Sequence, residues 1–123
     1  MNEAQNLHGE NFSDANLRGV NLTEANLTHA NLTDALLVRA VAVKANLTRA
    51  ELVRADLTGV DLTNANVARA TLIDTNFTDA TLLNADFSNA TVTGAYFDDY
   101  EKLTGDATIT GVHFEHARFG SAT

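Results

Sequence analysis

The chain has 123 residues, with 16 Asp or Glu against eight Lys or Arg, so its formal net charge is -8 and its length suits one modest domain. It contains no Cys, Pro or Trp, which excludes a disulfide framework, a thiolate metal site and a cysteine nucleophile. No apolar run approaches the roughly 20 residues of a membrane-spanning helix, and the opening MNEAQNLHGENF lacks the basic start and apolar stretch of a signal peptide, so a cytoplasmic location is expected.

A large apolar centre recurs at every fifth position from Leu7, Phe12 and Leu17 onward to Phe97. Of 19 positions in this register, 12 are Leu, four are Phe, two are Val (Val67, Val92), and Ala42 alone is small. Two residues before the centre stands Ala in 14 of 19 units, the exceptions being Gln5, Glu10, Val20, Val60 and Thr75. A period of five matches neither the 3.6 of a helix nor the 2 of a long strand. A spacing of two puts the Ala and the centre on one face of a short extended segment, and the remaining residues turn a corner. Two positions after the centre, Gly, Asn or Asp appears in 12 of 19 units, the residue types that tolerate positive φ. If four sides close a square, residues 20 apart stack about 4.8 Å apart, in columns such as Leu7, Leu27, Leu47, Val67 and Phe87. Gln5 and Glu10 at small-residue positions suit a first coil whose core is partly open, since terminal repeats are atypical.

The segments ANLTHANLTDA, ADLTGVDLTNA and ADFSNA carry the unit A-(N/D)-L-T-x, and over residues 5–99 the chain resembles the pentapeptide repeat family. The resemblance implies an all-β fold: a right-handed quadrilateral parallel β-helix of about five to six coils, with the centre and the preceding small residue pointing inward. Handedness and the number of sides are what the resemblance implies; the spacing itself shows only short sides with corners. A single domain is expected over 1–123, with regular repeats over 5–99, a register break at 98–106 and a C-terminal partial coil at 107–123.

Outward positions are mostly Asn, Asp and Thr, but residues 36 to 54 depart from this. Leu36, Val38, Val41, Val43 and Val53 stand where the repeat prefers polar residues, and they are expected to face water. Leu36 and Val38 fall on one side and Val41 and Val43 on the next, with Leu83 two coils along in the Val43 column. An exposed apolar cluster of this kind marks a contact surface, or β-branched residues simply strengthen short strands. The corners of the same coil are Arg39, Lys44, Arg49 and Arg54, with Arg69 in the Arg49 column. Read as a site, the apolar residues supply the contact and the four cations steer an acidic partner; read otherwise, they are a solvated basic band. Ala42 between Leu22 and Leu62 leaves a void or draws its neighbours inward, with local inversion of Val41 and Val43 as a further possibility.

After Phe97 the next centre is Ile109, so the phase slips by two across DDYEKLTGD. Asp98 followed three residues later by Glu101 fits a capping box for a single helical turn, and an irregular loop fits equally. The register resumes with Ala107 before Ile109, Val112 before Phe114 and Ala117 before Phe119.

A solenoid filled by Leu and Phe offers no cleft for convergent polar groups, so no catalytic residue, cofactor or metal site is expected. His113 and His116 form an HxxH pair without a third ligand at suitable spacing and read as solvated. The Asn-x-Thr sequons at Asn21, Asn26, Asn31, Asn46 and Asn76 are generated by the repeat itself and do not indicate glycosylation. The resemblance implies two functional classes. One is a small protein-interaction scaffold, similar to short cyanobacterial members; the other is a DNA-mimicking modulator or protector of DNA gyrase. About 5.5 coils span roughly 26 Å, and duplex DNA of that length carries about 15 negative charges at roughly one per 1.7 Å. A net -8 interrupted by a cationic band falls well short. Net acidity and only two Tyr also disfavour direct nucleic-acid binding. The expected partner is a protein, with the chain a monomer or a weak end-to-end dimer, because ARFGSAT supplies no dimerising helix.

Overall fold

Parallel bridges between residues 20 apart organise the chain. They run Asn6 to Asn26 to Asn46, and likewise from Asn11, Asn16 and Asn21, in a computed structural model that describes residues 4–120. Four pentapeptides therefore make one coil. Residues 1–3 and 121–123, within the expected domain limits of 1–123, lie outside the described residues. The four sides are numbered here by their centres: side one from Leu7, side two from Phe12, side three from Leu17 and side four from Leu22. The sides are so short that only β1 (Tyr96–Phe97) and β2 (Arg118–Phe119), paired in parallel on side three, reach two residues. No helix among the described residues is long and apolar enough to cross a membrane.

Each corner is a hydrogen-bonded turn. The centre's carbonyl accepts from the N–H three residues on, as Leu37 O does from Ala40 at 3.0 Å, so the two residues after the centre form the corner together. The second of them has positive φ at every corner from Gly9 to Gly94, the signature of a type II turn. The Gly, Asn and Asp preference in the sequence follows from this. Glu24, His29, Arg39, Lys44, Arg49, Arg54 and Arg69 adopt the same left-handed backbone at φ 57–61°, at a cost of about 1–2 kcal/mol each. The ladder imposes it: the Arg39 N–H donates to Thr58 O on the next coil at 2.8 Å.

The polar part of the repeat has a structural task. The first corner residue has an N–H that the ladder does not use. Where an Asn or Asp precedes the centre, its Oδ1 accepts that N–H, as Asn26 does from Thr28 at 3.1 Å and Asp61 from Thr63 at 3.0 Å. The Thr hydroxyl donates to the same oxygen, at 2.7 Å and 2.6 Å. Asn-Leu-Thr is thus a local side-chain bracket over each turn, which satisfies an otherwise orphaned donor.

The core is a stack of centres with the small residues between them, buried from Leu22 to Leu103. Thr75, one of the exceptions to the Ala rule, is fully buried, and its hydroxyl donates to Leu52 O at 2.7 Å. On side three Phe77 and Phe97 stack at 4.6 Å and 5° between planes, and Phe119 continues the column at 5.8 Å from Phe97. Ala42 points inward and is buried, while Val41 and Val43 face outward, so no local inversion occurs. Ala42 is instead among the residues lining an apolar void of about 20 Å³ in the solenoid interior, together with leucines of all four sides. In the first coil Leu7, Phe12, Leu17 and Val20 are only partly buried, and Gln5 and Glu10 are exposed.

The all-β expectation needs one correction. Between β1 and the resumed register lies a helix, α1 (Tyr100–Asp106), longer than the single turn expected from the sequence. Its N-cap is Asp99, not Asp98: Asp99 Oδ1 accepts from the N–H groups of Glu101 at 2.8 Å and Lys102 at 3.4 Å. The Asp98 carboxylate is engaged elsewhere, accepting the Asp79 N–H at 2.6 Å where a ladder carbonyl would otherwise serve. With α1 inserted, the bridge offset grows from 20 to 22, as in Asp86 to Thr108 and Thr91 to His113. The helix takes the place of side four in that coil, and its buried Leu103 supplies a core residue after Leu22, Ala42, Leu62 and Leu82. Tyr100 remains 48% exposed, edge-on to Phe119 at 5.1 Å.

Candidate functional site

The outward apolar residues of the second coil are set by the turn geometry. Leu36 and Val41 hold the bridging positions on sides three and four, whereas Val38 and Val43 are first corner residues beside Arg39 and Lys44. Leu36 and Val38 replace one Asn-Thr bracket, and Val41 and Val43 replace the next. The N–H groups of Val38 and Val43 consequently have no side-chain acceptor from the residue two before them. Around the coil the outward order becomes Leu36, Val38, Arg39, Val41, Val43, Lys44, a band of apolar pairs each closed by a cation.

These side chains are less exposed than expected. Leu36, Val38, Val41, Val43 and Val53 are all half-buried, because neighbours 20 residues away in either direction stand against each of them. Val41, for example, lies between Asn21 and Asp61. The large exposed apolar residue among the repeats is Leu83, at 47%. It shares a corner column with Thr23, Val43 and Thr63. Sequence reasoning missed Ile73, which stacks on Val53 along side two; the signal was present, since Thr71 and Glu51 replace the bracketing Asn there.

The four cations do not form one surface. Arg39, Lys44, Arg49 and Arg54 occupy the four successive corners of a single coil and radiate in four directions. Arg54 is also taken: its guanidinium makes a bidentate pair with Asp34 on the preceding coil, Nε to Oδ1 at 2.8 Å and Nη2 to Oδ2 at 2.9 Å. The hydrogen bond from Arg54 holds the Asp34 carboxyl below its ordinary range, and Asp34 in turn raises Arg54. This is the single ion pair among the described residues. Asp34 thus offsets the charge of Arg54 locally, in contrast to Arg39 and Lys44, which make no ion pair among the described residues. Arg49 belongs to the corner between sides one and two, away from the valines, next to Arg69. What the structure brings together is Leu36, Val38, Arg39, Val41, Val43 and Lys44. Arg39 is positioned by a glycine, because its aliphatic stem passes Gly59 so closely that a Cβ there would sit 3.2 Å from Cγ.

Other polar clusters are sparse. His8 Nδ1 lies 2.6 Å from Thr28 Oγ1, and its ring meets His29 edge-on at 5.4 Å. No group of three potential metal ligands occurs among the described residues.

The sequence profile of pentapeptide repeats matches in eight copies, over residues 3–34, 25–64 and 61–99. No curated protein is similar enough to the sequence to count as a match. Among solved structures the chain is similar to the pentapeptide repeat protein Rfr23 from the cyanobacterium Cyanothece 51142, at 22% identity and a TM-score of 0.57, over 92% of this chain and 86% of that one. It is also similar to a pentapeptide repeat protein from the Arabidopsis thaliana thylakoid lumen, at 23% identity, a TM-score of 0.35, and 94% and 65% coverage. QnrB1, a plasmid-mediated fluoroquinolone resistance protein, matches at 19% identity and a TM-score of 0.43, over 90% and 73%. At these identities the first likeness concerns the fold, a β-helix solenoid, and the other two carry no argument.

Proposed function

Since the chain belongs to the pentapeptide repeat family, we propose that it is a non-enzymatic protein-interaction scaffold whose contact surface is centred on Leu36, Val38, Val41 and Val43 with Arg39 and Lys44. The observation that carries this reading is the loss of two consecutive Asn-Thr brackets in one coil. Giving up both polar brackets for half-buried aliphatic residues gains little for the core, because these side chains point outward while the inward Leu37 and Ala42 line an interior void. A surface that exchanges satisfied polar groups for an apolar patch flanked by cations suits a partner with an apolar centre and an acidic rim. The interior supports a non-enzymatic role, because its void is lined by Leu, Val, Phe and Ala and no polar groups converge there. In this reading the domain, residues 1–123, is a right-handed quadrilateral β-helix of about five to six coils, acting as a monomer or weak end-to-end dimer.

The test is recovery of a partner from the native cell by wild-type protein and by Val41→Thr/Val43→Thr. Thr flanks Val43 at Thr23 and Thr63, and Thr81 holds the Val41 position two coils along, so the double variant keeps the fold, and recovery is expected to fall. Unchanged recovery by the folded variant moves the contact surface elsewhere. A gyrase supercoiling assay on the same preparation is expected to show no effect; inhibition or protection would replace the scaffold reading with the DNA-mimic one.

A further inference from the structure

The departures from the regular pattern concentrate on side four. It carries Val41 and Val43, the small centre Ala42, and the exposed Leu83; its ladder stops at Thr81, and α1 replaces it in the coil beyond. The corner column of this side reads Thr23, Val43, Thr63, Leu83, so its two large apolar residues lie two coils apart, with a Thr between them. Two coils correspond to about 10 Å along the axis. That distance selects a partner conformation. Residues seven apart on an α-helix share a face and are separated by about 10.5 Å, whereas same-face residues of an extended strand fall at about 6.7 or 13.4 Å.

Building on the scaffold reading above, we infer that side four receives an amphipathic α-helix of a partner protein, laid along the solenoid axis, with two apolar anchors seven residues apart. The first anchor meets Val41 and Val43, and the second meets Leu83. Arg39 and Lys44 stand on the two corners that border Val41, and neither is in an ion pair among the described residues. The partner helix therefore carries carboxylates flanking its first anchor. Asp61, one coil further along the same side, repels acid there and confines the acidic residues to the Val41 end. Helix binding through anchors at i and i+7 needs two spaced apolar contacts rather than a deep pocket, and side four supplies them at Val41 with Val43 and at Leu83.

A display library of a stable helical scaffold, randomised on its exposed face, is panned against the full chain, and the enriched helices are synthesised for affinity measurement. The expected helices carry apolar residues seven apart with Asp or Glu beside the first. Their affinity is expected to fall roughly ten-fold on Leu83→Thr and on Val43→Thr, to weaken on Lys44→Glu and with added salt, and to be unchanged by Ile73→Thr on side two. Thr is native in this column, so both Thr variants retain the fold. Failure to enrich any helix, or enriched helices that ignore Leu83→Thr, overturns the inference. A native partner lost on Val41→Thr/Val43→Thr but retained on Leu83→Thr also overturns it while leaving the scaffold reading standing.

Discussion

Filling the hole at Ala42 probes both the register and the four-fold stacking. Ala42 is buried between Leu22 and Leu62 on side four, beside a void of about 20 Å³. At about 24 cal/mol per Å³ that void costs the fold roughly 0.5 kcal/mol. Ala42→Leu adds three buried carbons, worth about 0.8 kcal/mol each if fully accommodated. Against this stand the rotamer freedom a buried Leu loses, about 0.5–1 kcal/mol, and crowding of about 1–3 kcal/mol where the void is too small. The net expectation lies between a loss of about 1.5 kcal/mol and a gain of about 1 kcal/mol. Leu62→Ala goes the other way, losing about 2–5 kcal/mol, near the upper end because its cavity merges with the existing one. In Ala42→Leu/Leu62→Ala the new Leu relaxes into the space below, so the double variant should be about 1 kcal/mol or more better than additive. Urea unfolding followed by far-UV circular dichroism suits a chain without Trp. A loss above about 2 kcal/mol for Ala42→Leu, or strict additivity of the pair, would falsify the stacking of these positions.

Three further outcomes follow from the hydrogen bonds. Thr75→Val removes a hydroxyl whose acceptor, Leu52 O, keeps the Ala55 N–H at 3.0 Å, so calorimetry should show a cost near 1 kcal/mol; a loss beyond about 3 kcal/mol would mean the hydroxyl holds more than this one carbonyl. Asp99→Ala removes the cap of α1 and should cost about 1 kcal/mol, with amide exchange accelerating over residues 100–106 and not on side one; uniform acceleration would mean that the helix does not open by itself. Arg54→Ala should let the Asp34 carboxyl rise toward the ordinary carboxylate range in a carbon-detected NMR titration. The sign follows from the depressed folded-state pKa: the pair's contribution is present above the ordinary carboxylate range and fades as pH falls through the lowered value. An Asp34 titration unmoved by Arg54→Ala would remove the ion pair from solution.

The period of five, the inward Ala and Leu, and the Gly, Asn and Asp corners were legible in the residues alone, because each pentapeptide is a complete local unit and its apolar spacing admits neither a helix nor a long strand. The slip of two after Phe97 was legible for the same reason. The outward residues were harder to read. Asn and Thr look like ordinary solvated residues until the structure shows the free corner N–H they bracket, so the significance of losing that bracket at Leu36 and Val41 was hidden. Exposure also depends on stacking: Val41 is half-covered by residues 20 positions away on either side, whereas Leu83 stands clear where the ladder of side four ends. Charge behaved likewise. The sequence places Arg39, Lys44, Arg49 and Arg54 in one stretch, but a chain that turns a corner every five residues sends them in four directions and brings Arg54 to Asp34, one coil back. Sequence alone determines a local repeat that closes on itself every few residues; which outward side chains share a surface is decided by the 20-residue stacking, which no local pattern contains.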